Sequence, residues 1–218
     1  MIHQKSRLVT AGIALSLAGC QTMQTGEKIV SDGVAALDKT PLCCSDLSEA
    51  KRIPLPLLPT DIAVDAKSQA RKFDGTKAFF VLLELPVYEK PYALTLTSSA
   101  KGVVNDNALF IPRVTVYDAE YTATRTFDEK SLRNRGNDLE RTIFINPQNN
   151  SERYIAIYGS DLSASIVRPY SEVTYNTVVV GTIMFNVVGG RDGKSTLRSS
   201  PTGSLHIEVS GLDKPQKK

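Results

Sequence analysis

The chain has no tryptophan and only two histidines and three cysteines in 218 residues. Each scarcity excludes something. His3 lies in the basic N-terminal stretch, which leaves His206 as the one imidazole for a triad or a metal site. A lone His on the polar face of an edge strand, where the pattern puts His206, is ordinarily solvated. There is no Walker loop, no Gly-x-Gly-x-x-Gly and no EF-hand spacing. Ser48-Glu49-Ala50-Lys51 spells the Ser-x-x-Lys pattern of acyl enzymes, but its two companion motifs are missing. No catalytic residue, metal ligand or cofactor is assigned, and a non-enzymatic protein is expected. A charge bias is also lacking. The chain carries 26 basic and 23 acidic side chains. Lys5 and Arg7 precede residue 20 and no acidic residue does, so residues 20–218 are at +1. Nothing in that balance draws the protein to nucleic acid.

Long apolar runs are scarce as well. The N-terminal run, Leu8–Leu17, is too short for a bilayer span of about 20 residues. It follows a basic start and fits the core of a secretory signal. Leu17-Ala18-Gly19-Cys20 then matches the bacterial lipobox. Small residues fit a peptidase cleft, and the Cys20 thiol takes diacylglycerol and becomes the new N-terminus. Each acyl CH₂ buried in lipid contributes about 0.8 kcal/mol. Gln21, where Asp signals inner-membrane retention, points to an outer-membrane anchor facing the periplasm of a Gram-negative bacterium. Residues 1–19 are therefore expected to be a signal peptide and 20–40 a lipid-anchored flexible tether, with a weak helix at Glu27–Lys39. Residues 41–212 are expected to form one domain and 213–218 a polar tail.

Cys43 and Cys44 are the remaining thiols, adjacent in "TPLCCSDLSEAKR". In an oxidising compartment they are expected to pair or to be protected. A vicinal disulfide serves as a rigid turn or redox switch. The plainer reading is a local clip beside a helix start, or one buried and one exposed thiol. The clip is preferred because a bridge between neighbours constrains little chain entropy. Asp46-x-x-Glu49 predicts a capping box. In "RIPLPLLPTD", Pro54, Pro56 and Pro59 forbid a helix or central strand and leave an extended segment that buries its leucines.

Strand signals fill the rest. Lys77–Leu85 is a continuous apolar run, as in a strand buried on both faces. Tyr92–Ser98 alternates, with Tyr92, Leu94 and Leu96 on one face. Arg113–Asp118, Thr142–Asn146, Arg153–Gly159 and Leu205–Val209 are short and β-rich. Val178–Val188 reads as the longest strand, with a bulge at Gly181. Asp128–Arg141 reads as a charged loop or short helix and Arg191–Thr202 as a basic loop. About seven to eight strands with little helix predict a mainly β fold, an antiparallel, jelly-roll-like β-sandwich with a short N-terminal helix. Among eight tyrosines, including Tyr117, Tyr121 and Tyr170, the pair Tyr88 and Tyr92 flanks a turn and is the candidate ligand platform. The competing reading packs these two rings at the sandwich edge.

"KFDGTKAFFVLLELP", "PYALTLTS" and "LFIPRVTVYDAEY" resemble the maltose operon periplasmic protein family, as do the Cys-Cys-Ser start and "SSPTGSLHIEVSG". The resemblance spans about Leu42–Gly211 and lies in structural spellings. It implies export and a role accessory to maltose or maltodextrin transport, and supplies no catalytic residues. The expected partners are the membrane through the lipid, a maltodextrin or other glycan, and a porin or envelope protein. The alternative is a structural envelope lipoprotein whose sandwich binds a protein partner or peptidoglycan.

Overall fold

The computed structural model describes residues 24–103, 105–160, 162–163 and 165–212. Cys20 with its lipobox and the tail 213–218 lie outside the described residues. The chain opens with helix α1 (Gly26–Lys39). Thr25 caps it by accepting from the Lys28 N–H, and Glu27 and Lys39 sit at the dipole ends that favour their charges. Fifteen strands follow: β1 (Arg52–Pro54), β2 (Thr60–Val64), β3 (Gln69–Phe73), β4 (Thr76–Glu84), β5 (Tyr92–Ser98), β6 (Lys101–Val103), β7 (Asp106–Leu109), β8 (Pro112–Asp118), β9 (Ala123–Phe127), β10 (Arg133–Arg135), β11 (Asp138–Ile145), β12 (Glu152–Gly159), β13 (Ser165–Val180), β14 (Ile183–Ser199) and β15 (Gly203–Ser210).

The fold is a β-sandwich. One sheet runs β1-β4-β12-β8-β9, with β3 also on β4; the other runs β10-β11-β5-β15-β2. Alternation explains the layering. Phe79, Val81 and Leu83 of β4 and Ile155 and Ile157 of β12 face Leu94 and Leu96 of β5 and Ile143 and Ile145 of β11 in one core. β4 is apolar on its other face too, because Ala78, Phe80 and Leu82 pack in a second, outer cluster. Its continuous apolar run is therefore real double burial. A third sheet, β13-β14-β7-β6, stands beside the sandwich.

Several expectations are corrected. The strands number twice those expected, and the sheets are mixed, since β1/β4 and β14/β7 pair in parallel. Within the segment 20–40, the weak helix expected at Glu27–Lys39 is present as α1, docked on the body instead of free. It buries Leu37, and the Glu27 N–H donates to Asp106 at 3.2 Å. In the proline-rich stretch Leu55 is buried, but Ile53 and Leu58 stay exposed. Asp46 and Glu49 do form a capping box, over a 3-10 turn at Leu47–Glu49 instead of a helix. Asp128–Arg141 resolves into a 3-10 turn and a hairpin. Arg141 is buried there over the Phe127 ring, donating to Ser131 Oγ at 2.6 Å and to the Asp128 carbonyl. Gly181 is no bulge. It opens the two-residue turn between Val180 and Ile183 at φ +63°, so Val178–Val188 is the tip of a hairpin and Arg191–Ser199 is strand.

Candidate functional site: the outer face of the six-stranded sheet

The alternation that fills the core sends a second set of side chains outward. Cross-strand pairing sets Tyr158 beside Phe80 and Arg113, and Tyr154 beside Tyr117. Phe73, from the neighbouring hairpin strand β3, stacks on Tyr158 with centroids 3.9 Å apart and planes 5° from parallel. Tyr121 stacks on Tyr154 at 4.5 Å and 1°. Arg52 Nη1 donates to both of these hydroxyls at 3.2 Å. The Tyr158 hydroxyl is bonded to Thr115 at 3.1 Å and Thr115 in turn to Thr126 at 3.3 Å. Burial raises Tyr117 and Tyr121 above the ordinary phenol range.

Among the described residues two non-glycine residues sit at positive φ, both beside this face. Asp74 (φ +50°) precedes Gly75 in the two-residue β3–β4 turn, where Asp-Gly is the favoured pair. Tyr121 (φ +61°) is a bulky residue in the left-handed region, which is rarely populated without cause. Asp118 holds it: the carboxylate accepts from Glu120 N at 3.0 Å and from Thr122 N at 2.7 Å. This strained turn presents the Tyr121 ring to Tyr154.

A hollow of 320 Å³ opens at one end of the face, lined by Phe73, Asp74, Arg113, Glu129, Tyr158 and Ser160. Its polar groups are poised but incompletely paired. Arg113 lies 3.7 Å from both the Asp74 and the Glu129 carboxylate, beyond hydrogen-bond length. Arg113 Nε is buried without a hydrogen-bond partner among the described residues. So is the hydroxyl of Ser160, a buried residue. Buried polar atoms are almost always satisfied, so these two stand out, as do Tyr92 Oη, Arg141 Nε, Asn146 Oδ1 and Ser199 Oγ elsewhere among the described residues. One guanidinium and two carboxylates leave the hollow net negative. Aromatic rings and donor and acceptor side chains converge in it, with room at the small end of the usual ligand range of about 300–1,000 Å³.

The comparisons decide nothing further. No family model, no curated protein and no solved structure matches the chain.

The residues singled out in the sequence fall elsewhere. Tyr92 is buried, and burial pushes its phenol far up; Tyr88 packs edge-on to it at 5.3 Å. The Tyr88 hydroxyl donates to the Asn149 carbonyl at 2.7 Å. These two rings are edge packing, not an open platform: Tyr92 is buried with its hydroxyl unpartnered among the described residues, and the Tyr88 hydroxyl is already engaged. Cys43 and Cys44 are bonded to each other. They border a separate hollow of 410 Å³ with Leu42, Glu49, Arg71 and Lys72, and Cys44 packs on the outer cluster. His206 lies on β15, which runs between β5 and β2 and is not an edge; its Nδ1 is 2.8 Å from Asp61 Oδ1. Ser48 and Lys51 flank the end of the 3-10 turn and are both exposed. Among the described residues no group of three His, Cys, Asp or Glu is placed to hold a metal. No described helix is long and apolar enough to cross a membrane, which says nothing of strands. Sequence reasoning missed Arg113, Glu129, Ser160 and Tyr154. The Asp74-Gly75 turn signal was the one local clue, since it places Asp74 and Phe73 at a hairpin tip.

Proposed function

We propose that this protein is a non-enzymatic, periplasm-facing lipoprotein that binds carbohydrate and serves its transport. The hollow between Asp74, Arg113, Glu129 and Ser160, beside the Phe73–Tyr158 stack, is the observation that carries the reading. Sugar hydroxyls donate to carboxylates and accept from guanidinium and hydroxyl groups, while C–H faces lie on aromatic rings. A neutral polyol suits a net-negative hollow better than an anion. The lipobox at Cys20 and the resemblance to the maltose operon periplasmic protein family, which rests on the quoted residues alone, support the setting and make maltodextrins the first ligands to test.

Calorimetric titration of residues 21–218 with a maltodextrin series tests this. Binding is expected at Arg113 and Glu129. Glu129→Gln should weaken it about tenfold, since a hydrogen bond to a charged group contributes about 1.5–3 kcal/mol. No heat up to millimolar sugar, with monosaccharides and maltodextrins alike, sinks the reading. The second reading, a structural envelope lipoprotein that binds a protein, draws on the exposed apolar hairpin of β13 and β14. A deletion strain impaired on every carbon source would favour it, and one impaired on maltodextrins alone would favour the first.

A further inference from the structure

The β13–β14 hairpin is unlike the rest of the surface. The eighteen residues 173–190 contain no charge. Its distal part, Val173–Val180 paired with Ile183–Gly190, extends about 26 Å at ~3.3 Å per residue. Partners across a hairpin share a face. One face carries Val178, Val180, Ile183, Phe185 and Val187; the other carries Val173, Tyr175, Val179, Met184 and Val188. All ten are exposed, up to 74% at Tyr175. Among the described residues both backbone edges are open as well. β13 ends its sheet, and β14 meets β7 only through Thr196–Ser199.

We propose that this arm is a self-association element, bound by the same arm of a second copy of the chain. Four observations select that occupant. First, an open edge flanked by apolar side chains is a template for another strand. Devices that block such pairing occur only at the base: Pro169 on β13, then Glu172 opposite Arg191 and the charged Asp192 and Lys194. Beyond Glu172 the edge has none. Second, lipid is a poor occupant for a single hairpin, because its unpaired edge N–H and C=O groups find no partner in hydrocarbon. Third, among the described residues the body offers scattered exposed apolar side chains, such as Leu58, Val87 and Phe144, so the complementary surface there is the arm itself. Fourth, the size fits a reversible pair. One face carries five of these side chains, each with roughly 60–120 Å² of apolar surface and about half exposed, so a single face offers on the order of 250 Å² per copy. Two copies with their paired β13 backbones stay below the roughly 1,200 Å² of stable complexes, in the range of weak, transient association. Antiparallel pairing of β13 with β13 of the second copy is isologous and closes on itself.

The test places a photoreactive benzophenone amino acid at Tyr175, at Phe185 or, as a control on the body, at Phe144, in the full chain expressed in a Gram-negative host. The expected result is an adduct of two copies of this chain from positions 175 and 185 and none from 144. In Val179→Lys/Phe185→Lys, with one lysine on each face, the adduct from position 175 should fall about tenfold or more, equivalent to ~1.4 kcal/mol. The thermal midpoint of the body should hold, because both positions are solvent-exposed. Adducts with lipid or with another protein alone, no adduct at all, or an adduct indifferent to the two lysines would each overturn the proposal. None of these outcomes bears on sugar binding at the outer face.

Discussion

Replacing Glu152 should open one end of the sandwich. Glu152 begins β12 and is 2% exposed, while Arg125 on β9 is 30% exposed. Arg125 Nε and Nη2 donate to the two carboxylate oxygens at 2.7 Å each, a bidentate pair. Thr124 Oγ1 adds a third donor at 3.2 Å. The same guanidinium donates to the Phe144 carbonyl on β11 at 3.2 Å and lies over the Phe127 ring. One ion pair thus joins strands of both sheets. Removing one partner of a buried pair costs about 3–5 kcal/mol, because the other charge is left stranded. Arg125 regains some water, which favours the lower end, so Glu152→Ala is expected to lose about 3 kcal/mol. For a domain of this size that lowers the thermal midpoint by roughly 6–12 °C. Glu152→Leu with Arg125→Met should recover most of the loss, since an apolar pair of similar volume is often neutral. Urea unfolding of the two variants and the parent measures both numbers. A loss below about 1 kcal/mol for Glu152→Ala, or a double variant as unstable as the single, refutes the account of this pair as an inter-sheet clip.

Two further outcomes follow from local geometry. Asp106 accepts from Arg198 Nε at 2.8 Å and from Glu27 N at the start of α1, and Arg198 chiefly holds its carboxyl below the usual range. Its folded value is lower than its unfolded value, so its contribution is complete above about pH 4 and is lost as pH falls through the folded value. The urea midpoint should therefore drop more from pH 6 to 3 in the parent than in Asp106→Asn, and parallel curves would refute it. At Gly203 an added Cβ would collide with the Phe110 side chain, which is fully buried. Gly203→Ala is expected to cost about 1–3 kcal/mol by overpacking, read from the same urea curves, and no loss would show that β15 shifts freely.

Periodicity alone determined much of this protein. The alternation in Tyr92–Ser98 and Leu205–Val209, and the unbroken run of β4, specify which residues face a core, because a strand has no other way to bury them. Local turn chemistry was equally legible: Asp46 with Glu49 makes a capping box wherever the chain goes next. The outer face was not legible. Phe73 meets Tyr158, and Arg52 meets Tyr121 and Tyr154, across 69 or more residues, through the order of strands in a sheet. Nothing local encodes strand order. The same limit hid the fate of the apolar stretch near Val180. As a string it reads like core, and only the hairpin turn at Gly181 and the absence of any covering strand among the described residues put it in solvent. Residues 173–190 were written as apolar by the sequence; that they stand clear of the body, open to a second copy, was decided by tertiary structure, because burial belongs to the neighbours a residue acquires and not to the residue.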